Sequence, residues 1–359
     1  MEALKNWYSP TFYKNLGLML LDAGAAVDPD LLYRDFTRNL EALELKQRIE
    51  RTITVLRQHL PSDFRAATQL LQTIAPKIEA GFFGVFVPDF VGRYGAEDIE
   101  YSLDVLRDVT QYSTSEFAVR EFLRRDFERT RRTMIEWAQH DNHHVRRLAS
   151  EGLRPRLPWS FKLPEIIRQP ELSQPVLTAL CNDSSEYVRK SVANHINDIS
   201  KDNPDYALTL LENWDRSSAG TRWIVKHASR SLIKDGNSRA LALFGFEREP
   251  QVDIDLLNKT DTVQRGDSFA ACWRLTSRSD HSQKLLVDYA ILYAAKSGQA
   301  RRKVFKLKEI DLAPGAFVDL SCSTAFRDMT TRKHYPGAHR AELQVNGLVL
   351  HTTDFEFTG

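Results

Sequence analysis

Two stretches decide the fold: His143–Leu153, HHVRRLASEGL, and Glu186–Ile196, EYVRKSVANHI, which superpose with a shift of 43 residues. In the first, Val145, Ala149 and Leu153 recur four apart; in the second, Val188, Val192 and Ile196 do the same. That spacing is the apolar stripe of a helix. A repeat of this length carrying a V-R-x-x-A-type helix points to HEAT-like stacking. One helix pair cannot cover its own apolar face, so neighbours stack into a superhelix with a concave surface.

Outward from this pair the helical period runs over 3–23, 30–60, 62–77, 98–113, 115–139, 142–153, 172–182, 185–201, 203–214 and 219–233, with 30–60 and 115–139 each read as two helices. Breakers fall between them, among them Pro61-Ser62, Gly92 and Gly95, Asn203-Pro204 and Ser218–Gly220. Near residue 248 the period changes from helical to alternating: Phe269, Ala271, Trp273 and Leu275 alternate with Ala270, Cys272 and Arg274. Strands are expected over 251–258, 268–276, 284–294, 302–308, 316–322, 340–346 and 348–356, and Asn346-Gly347 reads as a two-residue type I′ hairpin turn. The predicted fold is mostly α, a HEAT-like repeat superhelix over 1–247, followed by an all-β Ig-like sandwich over 248–359.

The 359 residues carry 49 Lys+Arg against 48 Asp+Glu and 42% hydrophobic residues, which excludes disorder as the main state. No window is apolar enough for a membrane span, and the start MEALKNWYSP lacks the pattern of a secretory signal. Cys181, Cys272 and Cys322 have no metal-type spacing, and an odd thiol fits a reducing, cytoplasmic setting. His143 and His144 find no partner with metal-ligand spacing, and no phosphate-binding glycine loop is present, so no cofactor is expected.

The overall charge balance hides an uneven distribution. From Arg120 to Arg156 there are ten arginines against six acids. Arg147 and Glu151 share a helix face, and the repeat maps them onto Lys190 and Asn194, with Asp198 next along that stripe. Arg222, Lys226 and Arg230 follow at i, i+4 and i+8 on a third helix. Such a row on a concave face fits a nucleic-acid footprint; it also fits a solvated scaffold that binds DNA or protein without catalysis.

Three ordered motifs sharpen the choice. Ser113–Arg120 followed by Phe122-Leu123, then His144–Trp159 (HVRRLASEGLRPRLPW), then Ser185–Lys201 (SEYVRKSVANHINDISK) closely resemble the AlkC-type DNA alkylation repair glycosylases, HEAT-like enzymes related to the AlkD group. Pro88–Val91, Arg93–Gly95 and Leu43–Lys46 are similar to that family as well, and some members carry an appended Ig-like domain. One departure is Glu121, where the family often has proline. The resemblance implies a monofunctional enzyme that removes cationic alkylated bases, chiefly 3-methyladenine and 3-methylcytosine, from double-stranded DNA without full base flipping. No cofactor and no membrane partner are expected from the residues, and a monomer is expected.

A base that already carries a positive charge departs without a general acid; what the reaction needs is a carboxylate to stabilise the cationic sugar and position water. Glu116, Glu151 and Asp198 are the candidates. Each also has a structural reading: Ser113-x-x-Glu116 has the form of a capping box, Glu151 could pair with Arg147 on the surface, and Asp198 with Lys201. Trp159, after Arg156-Leu157-Pro158, could stack on a base and face a cation, whereas Trp137 reads as core. Arg147, Lys190, Arg222, Lys226 and Arg230 are expected on phosphates, and Arg146, Arg154, Arg156, Arg189 and Asn194 complete the expected DNA-facing set. Arg301-Arg302-Lys303 and Lys306/Lys308 give the sandwich a basic cluster that could reach a DNA backbone or serve as a solvated strand face.

Overall fold

A computed structural model of the chain describes residues 4–79, 82–296, 298–327 and 333–359. The helices run α1 (Pro10–Asp22), α2 (Pro29–Thr37), α3 (Leu45–His59), α4 (Phe64–Ile74), α5 (Phe86–Tyr94), α6 (Ile99–Val109), α7 (Ala118–Arg125), α8 (Phe127–Trp137), α9 (His143–Gly152), α10 (Pro164–Arg168), α11 (Gln174–Ala179), α12 (Glu186–Ile199), α13 (Pro204–Glu212), α14 (Ala219–Ala228), α15 (Arg230–Lys234) and α16 (Ser238–Ala242). No helix among the described residues is long and apolar enough to cross a membrane. The strands follow as β1 (Val252–Lys259), β2 (Thr262–Val263), β3 (Ser268–Ser277), β4 (Gln283–Tyr293), β5 (Arg301–Leu312), β6 (Phe317–Ala325), β7 (Gly337–Val345) and β8 (Leu348–Phe357).

The chain forms two compact units: Met1–Ala207 with Asn213–Ala228, and Leu208–Glu212 with Ser229–Gly359. In the first, the two repeat helices α9 and α12 pack on each other, and α12 packs on α14. The apolar stripes read from sequence lie in the interior: Val145, Ala149, Leu153, Val188, Val192 and Ile196 are all buried, as is Trp137. Helix α9 starts where Asn142 accepts from the His144 amide, so the residue before the stripe fixes its register.

Two local expectations are corrected. Gly92 reads as a helix breaker, yet it lies inside α5, which the sequence left unassigned. A Cβ there would sit 3.0 Å from the Ala118 Cα, so the missing side chain lets α5 and α7 approach closely. Residues 219–233, read as one helix, break between Ala228 and Arg230, and Arg230 therefore does not continue the stripe of Arg222 and Lys226. Helices α10 and α16, five residues each, also lie outside the expected segments.

The second unit holds two sheets, β1-β3-β6 and β2-β8-β7-β4-β5, whose inner residues share one core that includes Phe269, Trp273, Ile291, Leu343 and Phe357. This is an Ig-like sandwich with one short strand, β2, beyond the seven expected. Cys181, Cys272 and Cys322 are free thiols. The Asn346-Gly347 turn joins Val345 to Leu348 with both central residues at positive φ, 47° and 83°. Residues ahead of the strands belong to this unit as well: Leu241 and Phe246 pack with Leu286, and Asn346 Nδ2 donates to the Glu247 carbonyl at 2.8 Å. Helices give way to strands near residue 248, but the packing boundary falls earlier, between Ala228 and Ser229.

Candidate functional site

The three candidate carboxylates come from three places in the first unit. Glu116 sits in the turn before α7, Glu151 in the last turn of α9 and Asp198 in the last turn of α12. Ser115 anchors the first, its Oγ donating to the Leu106 carbonyl at 2.9 Å. The capping-box reading of Glu116 fails, because α7 starts at Ala118 with Phe117 at its cap, leaving Glu116 outside the helix. All three are buried, at 8%, 5% and 2% exposure, so none is a surface ion pair.

Two arginines join them in one chain. Arg147 pairs with Glu116, donates to Thr114 Oγ1 at 2.9 Å and lies 3.5 Å from Glu151 Oε1. Arg154 donates to Glu151 Oε1 at 2.6 Å and to Asp198 Oδ2 at 2.9 Å. Ser191 Oγ donates to Glu151 Oε2 at 2.6 Å, and Lys201 Nζ to Asp198 Oδ1 at 2.8 Å. Both oxygens of Glu151 and of Asp198 are thus engaged. Glu116 differs: Oε2 accepts from Arg147 and Thr114, while Oε1 accepts from no described residue. Burial works against the charge of Arg147 and Arg154, but the acids overcome it and hold both guanidinium groups above their ordinary pKa: Glu151 then Glu116 for the first, Glu151 then Asp198 for the second. The Tyr187 ring lies 5.1 Å from the Arg147 guanidinium carbon. His195, wholly buried near Arg154, is pushed down to about 3 by burial first, so it is neutral at neutral pH.

Arg120 organises the neighbouring loop, a role that sequence spacing did not assign. Fully buried, it donates to the Gly152 and Arg154 carbonyls at 2.9 and 2.8 Å and to the Phe161 carbonyl. It therefore binds both ends of the segment that carries Trp159, at the C-terminal end of α9 where a cation is favoured. Burial pulls its pKa down to about 10, which still leaves it charged. Trp159 lies in the left-handed region (φ 67°), is 57% exposed, and its carbonyl accepts from Lys46 Nζ at 3.2 Å. A bulky residue in that conformation stores backbone strain, a feature concentrated at functional sites. Beside it opens a cavity of about 900 Å³ lined by α3, α5, α7 and this loop, including Asp89, Phe117 and Phe161.

The expected DNA-facing cations divide into two groups. Arg146 is taken up inside the protein by Asp183 at 2.6 and 3.0 Å and by the His140 and Asp141 carbonyls. Its repeat equivalent Arg189 donates to the Asp183 and Ser184 carbonyls, and Arg222 to those of Arg216 and Ser217. All three reach back five and six residues, so each clamps the turn that precedes its own helix. Arg147 and Arg154 serve the carboxylates, and Arg156 pairs with Asp202 at 2.7 and 2.6 Å. Lys190 and Lys226 are exposed and Asn194 is half-buried. Arg230 belongs to the second unit. There, Arg302 is engaged by Glu342 and Gln344 and Lys306 by Glu309; Arg301, Lys303 and Lys333 line a cavity of about 180 Å³ with Tyr293 and Tyr335. His143 and His144 face each other and Tyr187, and no described residues form a metal-binding group.

A helical-repeat unit with a buried carboxylate–arginine chain and a presented indole, followed by an Ig-like sandwich, defines a narrow class of protein. Residues 38–232 match the family described as DNA alkylation repair enzyme, and residues 254–359 match "Uncharacterised protein YhaZ, C-terminal Ig-like domain". The chain belongs to the DNA alkylation repair enzyme family, in its AlkC-like form with a C-terminal Ig-like domain. It is 40% identical over 335 residues to YhaZ of Bacillus subtilis (strain 168), covering 90% of this chain and 93% of that protein. It is also similar, at 42% identity and a TM-score of 0.96 with both chains fully covered, to the Pseudomonas fluorescens alkylpurine DNA glycosylase AlkC, solved bound to DNA containing an abasic site analog.

Proposed function

We propose that this protein is a monofunctional DNA glycosylase that excises cationic N3-alkylated bases, 3-methyladenine and 3-methylcytosine, from double-stranded DNA and leaves an abasic site. The observation that carries the reading is Glu116. Its Oε2 is fixed by Arg147 and Thr114 while Oε1 is left without a described partner. A carboxylate held that way can present one oxygen to a water and to the positive charge that develops on deoxyribose. Glu151 and Asp198 act around it, holding Arg147 and Arg154 in place and adding negative potential. Trp159 offers its face to the cationic base, whose charge makes a general acid unnecessary.

In this proposal residues 1–247 carry the chemistry, and residues 248–359 form the Ig-like part. The protein acts as a monomer in the cytoplasm, needs no cofactor, and captures the lesion without full base flipping. Of the expected phosphate contacts, Lys190 and Lys226 remain the best supported by exposure.

Methylated duplex DNA provides the test. Wild-type protein releases free 3-methyladenine in chelator, and the DNA strand stays intact until alkali is added. Glu116→Gln slows release about a hundredfold or more while binding is kept, and Glu151→Gln and Asp198→Asn are slower than wild type. A wild-type protein that binds this DNA yet releases no base is instead a non-catalytic HEAT-like scaffold.

A further inference from the structure

The clamping arginines fix the register in which successive repeats align. Arg146, Arg189 and Arg222 each donate to the carbonyls five and six residues back, so α9, α12 and α14 superpose on them. Helix α12 packs on both α9 and α14, which makes the three consecutive in space. The positions one and five residues beyond each clamp then form a column across the repeats. In α9 they are Arg147 and Glu151, members of the carboxylate chain, and in α12 they are Lys190 and Asn194. In α14 they are Trp223 and His227, with Lys226 beside them in the chain.

Trp223 is not a core residue. Of the six tryptophans, Trp137, Trp214 and Trp273 are buried, whereas Trp159 and Trp223 are the two exposed ones. The buried face of α14 is Thr221, Ile224, Val225 and Ala228, and Trp223 stands outside it. Its indole stacks on the His227 ring, at 4.9 Å between centroids and 12° between planes, while 37% of the residue stays exposed. A ring held in this way has little freedom left to lose when a partner covers it. Exposed cations stand on the same two helices, Lys190 on α12 and Lys226 on α14. Glu186, in the cleft of about 430 Å³ that Trp223 borders, disfavours a phosphate directly over the indole, and Asp183 in that cleft is already paired with Arg146. An uncharged ring among lysines suits a deoxyribose flanked by phosphates: sugar on the indole, phosphates on the ammonium groups.

We infer that Trp223, held by His227, is a second DNA contact, packing on the sugar backbone of the duplex away from the lesion and on one side of it. Packed helices lie roughly 8–10 Å apart, so two steps put α14 about 16–20 Å from α9, a span of about five to six base pairs. Because α14 lies to one side of α9, the contact falls in only one of the two duplex arms. The inference rests on the glycosylase reading for the identity of the partner and adds a contact remote from the reacting bond. It reads no sequence, since the backbone is alike everywhere, and it fixes the register in which the carboxylates meet the duplex.

The probe is a duplex with an abasic-site analog and about ten base pairs on each side, and the same duplex with either arm cut to about three. Fluorescence anisotropy with the full-length protein gives the affinities. The wild-type protein loses about fivefold or more in affinity when one particular arm is cut. Trp223→Ala binds the uncut duplex about fivefold or more weakly. It also loses about threefold less than the wild type from the cut of that arm, and as much as the wild type from the cut of the other. Trp223→Phe, which keeps a ring, recovers most of the affinity and the arm dependence. Unchanged binding of the uncut duplex by Trp223→Ala overturns the inference and leaves Trp223 to a protein partner. A variant that loses as much as the wild type from both cuts also overturns it, because its defect is then general. So does a wild-type protein indifferent to both cuts, and that measurement needs no variant. Base release from methylated DNA by the wild-type protein is read separately. Release without arm dependence removes this inference alone, and arm dependence without release removes the enzyme reading alone.

Discussion

Replacing Arg154 with methionine tests whether the carboxylate chain is a buried structure or a set of surface contacts. The Arg154 side chain is 10% exposed and makes three short contacts, at 2.6 Å to Glu151 and at 2.9 and 2.8 Å to Asp198. Without it each acid keeps one cation: Glu151 has Arg147 at 3.5 Å and Asp198 has Lys201 at 2.8 Å. Removing one partner of a buried ion pair costs roughly 3–5 kcal/mol, and the remaining cations place this case near about 3 kcal/mol. Urea unfolding followed by far-UV circular dichroism reads the loss. With two compact units the transition is not two-state, so the midpoint of the helical phase is the quantity to compare. It falls by about 1 M for a slope near 3 kcal/mol/M. The double variant Arg154→Met/Glu151→Gln loses less than the sum of the single variants, with a coupling of about 1 kcal/mol or more, because the second change removes the charge stranded by the first. A single variant within about 0.5 kcal/mol of wild type, or strict additivity, refutes the reasoning.

Trp159→Gly relieves a left-handed backbone at an exposed position, so thermal stability stays level or rises while base release falls at least tenfold; a fall in both would make Trp159 a packing residue. Arg146→Met breaks the clamp on Asp183 and two carbonyls, lowering stability by about 2 kcal/mol with DNA affinity within about threefold of wild type. Lys190→Ala and Lys226→Ala do the reverse: filter-binding across a salt series shows weaker DNA binding and a salt slope shallower by about 0.9 for each phosphate that the variant leaves unneutralised. Equal affinity losses in Arg146→Met and the lysine variants would return Arg146 to the DNA surface.

What the sequence disclosed and what it hid follow from the range of the forces involved. The stripes of Val145 and Val188 were legible because helix geometry fixes their spacing, and the Asn346-Gly347 turn because two adjacent residues adopt positive φ there. Helix α5 was hidden because Gly92 breaks helices by its own propensity, whereas here its value is the room it leaves for Ala118, a partner 26 positions away that a Cβ would meet at 3.0 Å. Glu116, Glu151 and Asp198 were found through a matched pattern. Their connection was not visible, since i, i+4 spacing places Arg147 beside Glu151 but says nothing of Glu116, which reaches the same guanidinium from another element.

The arginines around the carboxylates then have one explanation. Burying Glu116, Glu151 and Asp198 near each other requires cations that can serve two acids at once. Arg154 does so with different nitrogens, Nη1 on Glu151 and both Nε and Nη2 on Asp198. A lysine has a single ammonium on a flexible stem and cannot hold that fork. Arg147 likewise spans Glu116 and Glu151, and Arg146 spans Asp183 and two carbonyls. The arginines from Arg146 to Arg156 are thus largely the counterions of partly or fully buried acids. In the proposed reading, contact with the DNA backbone falls to exposed lysines such as Lys190 and Lys226, which are point charges on flexible stems and suit a contact with loose geometric demands.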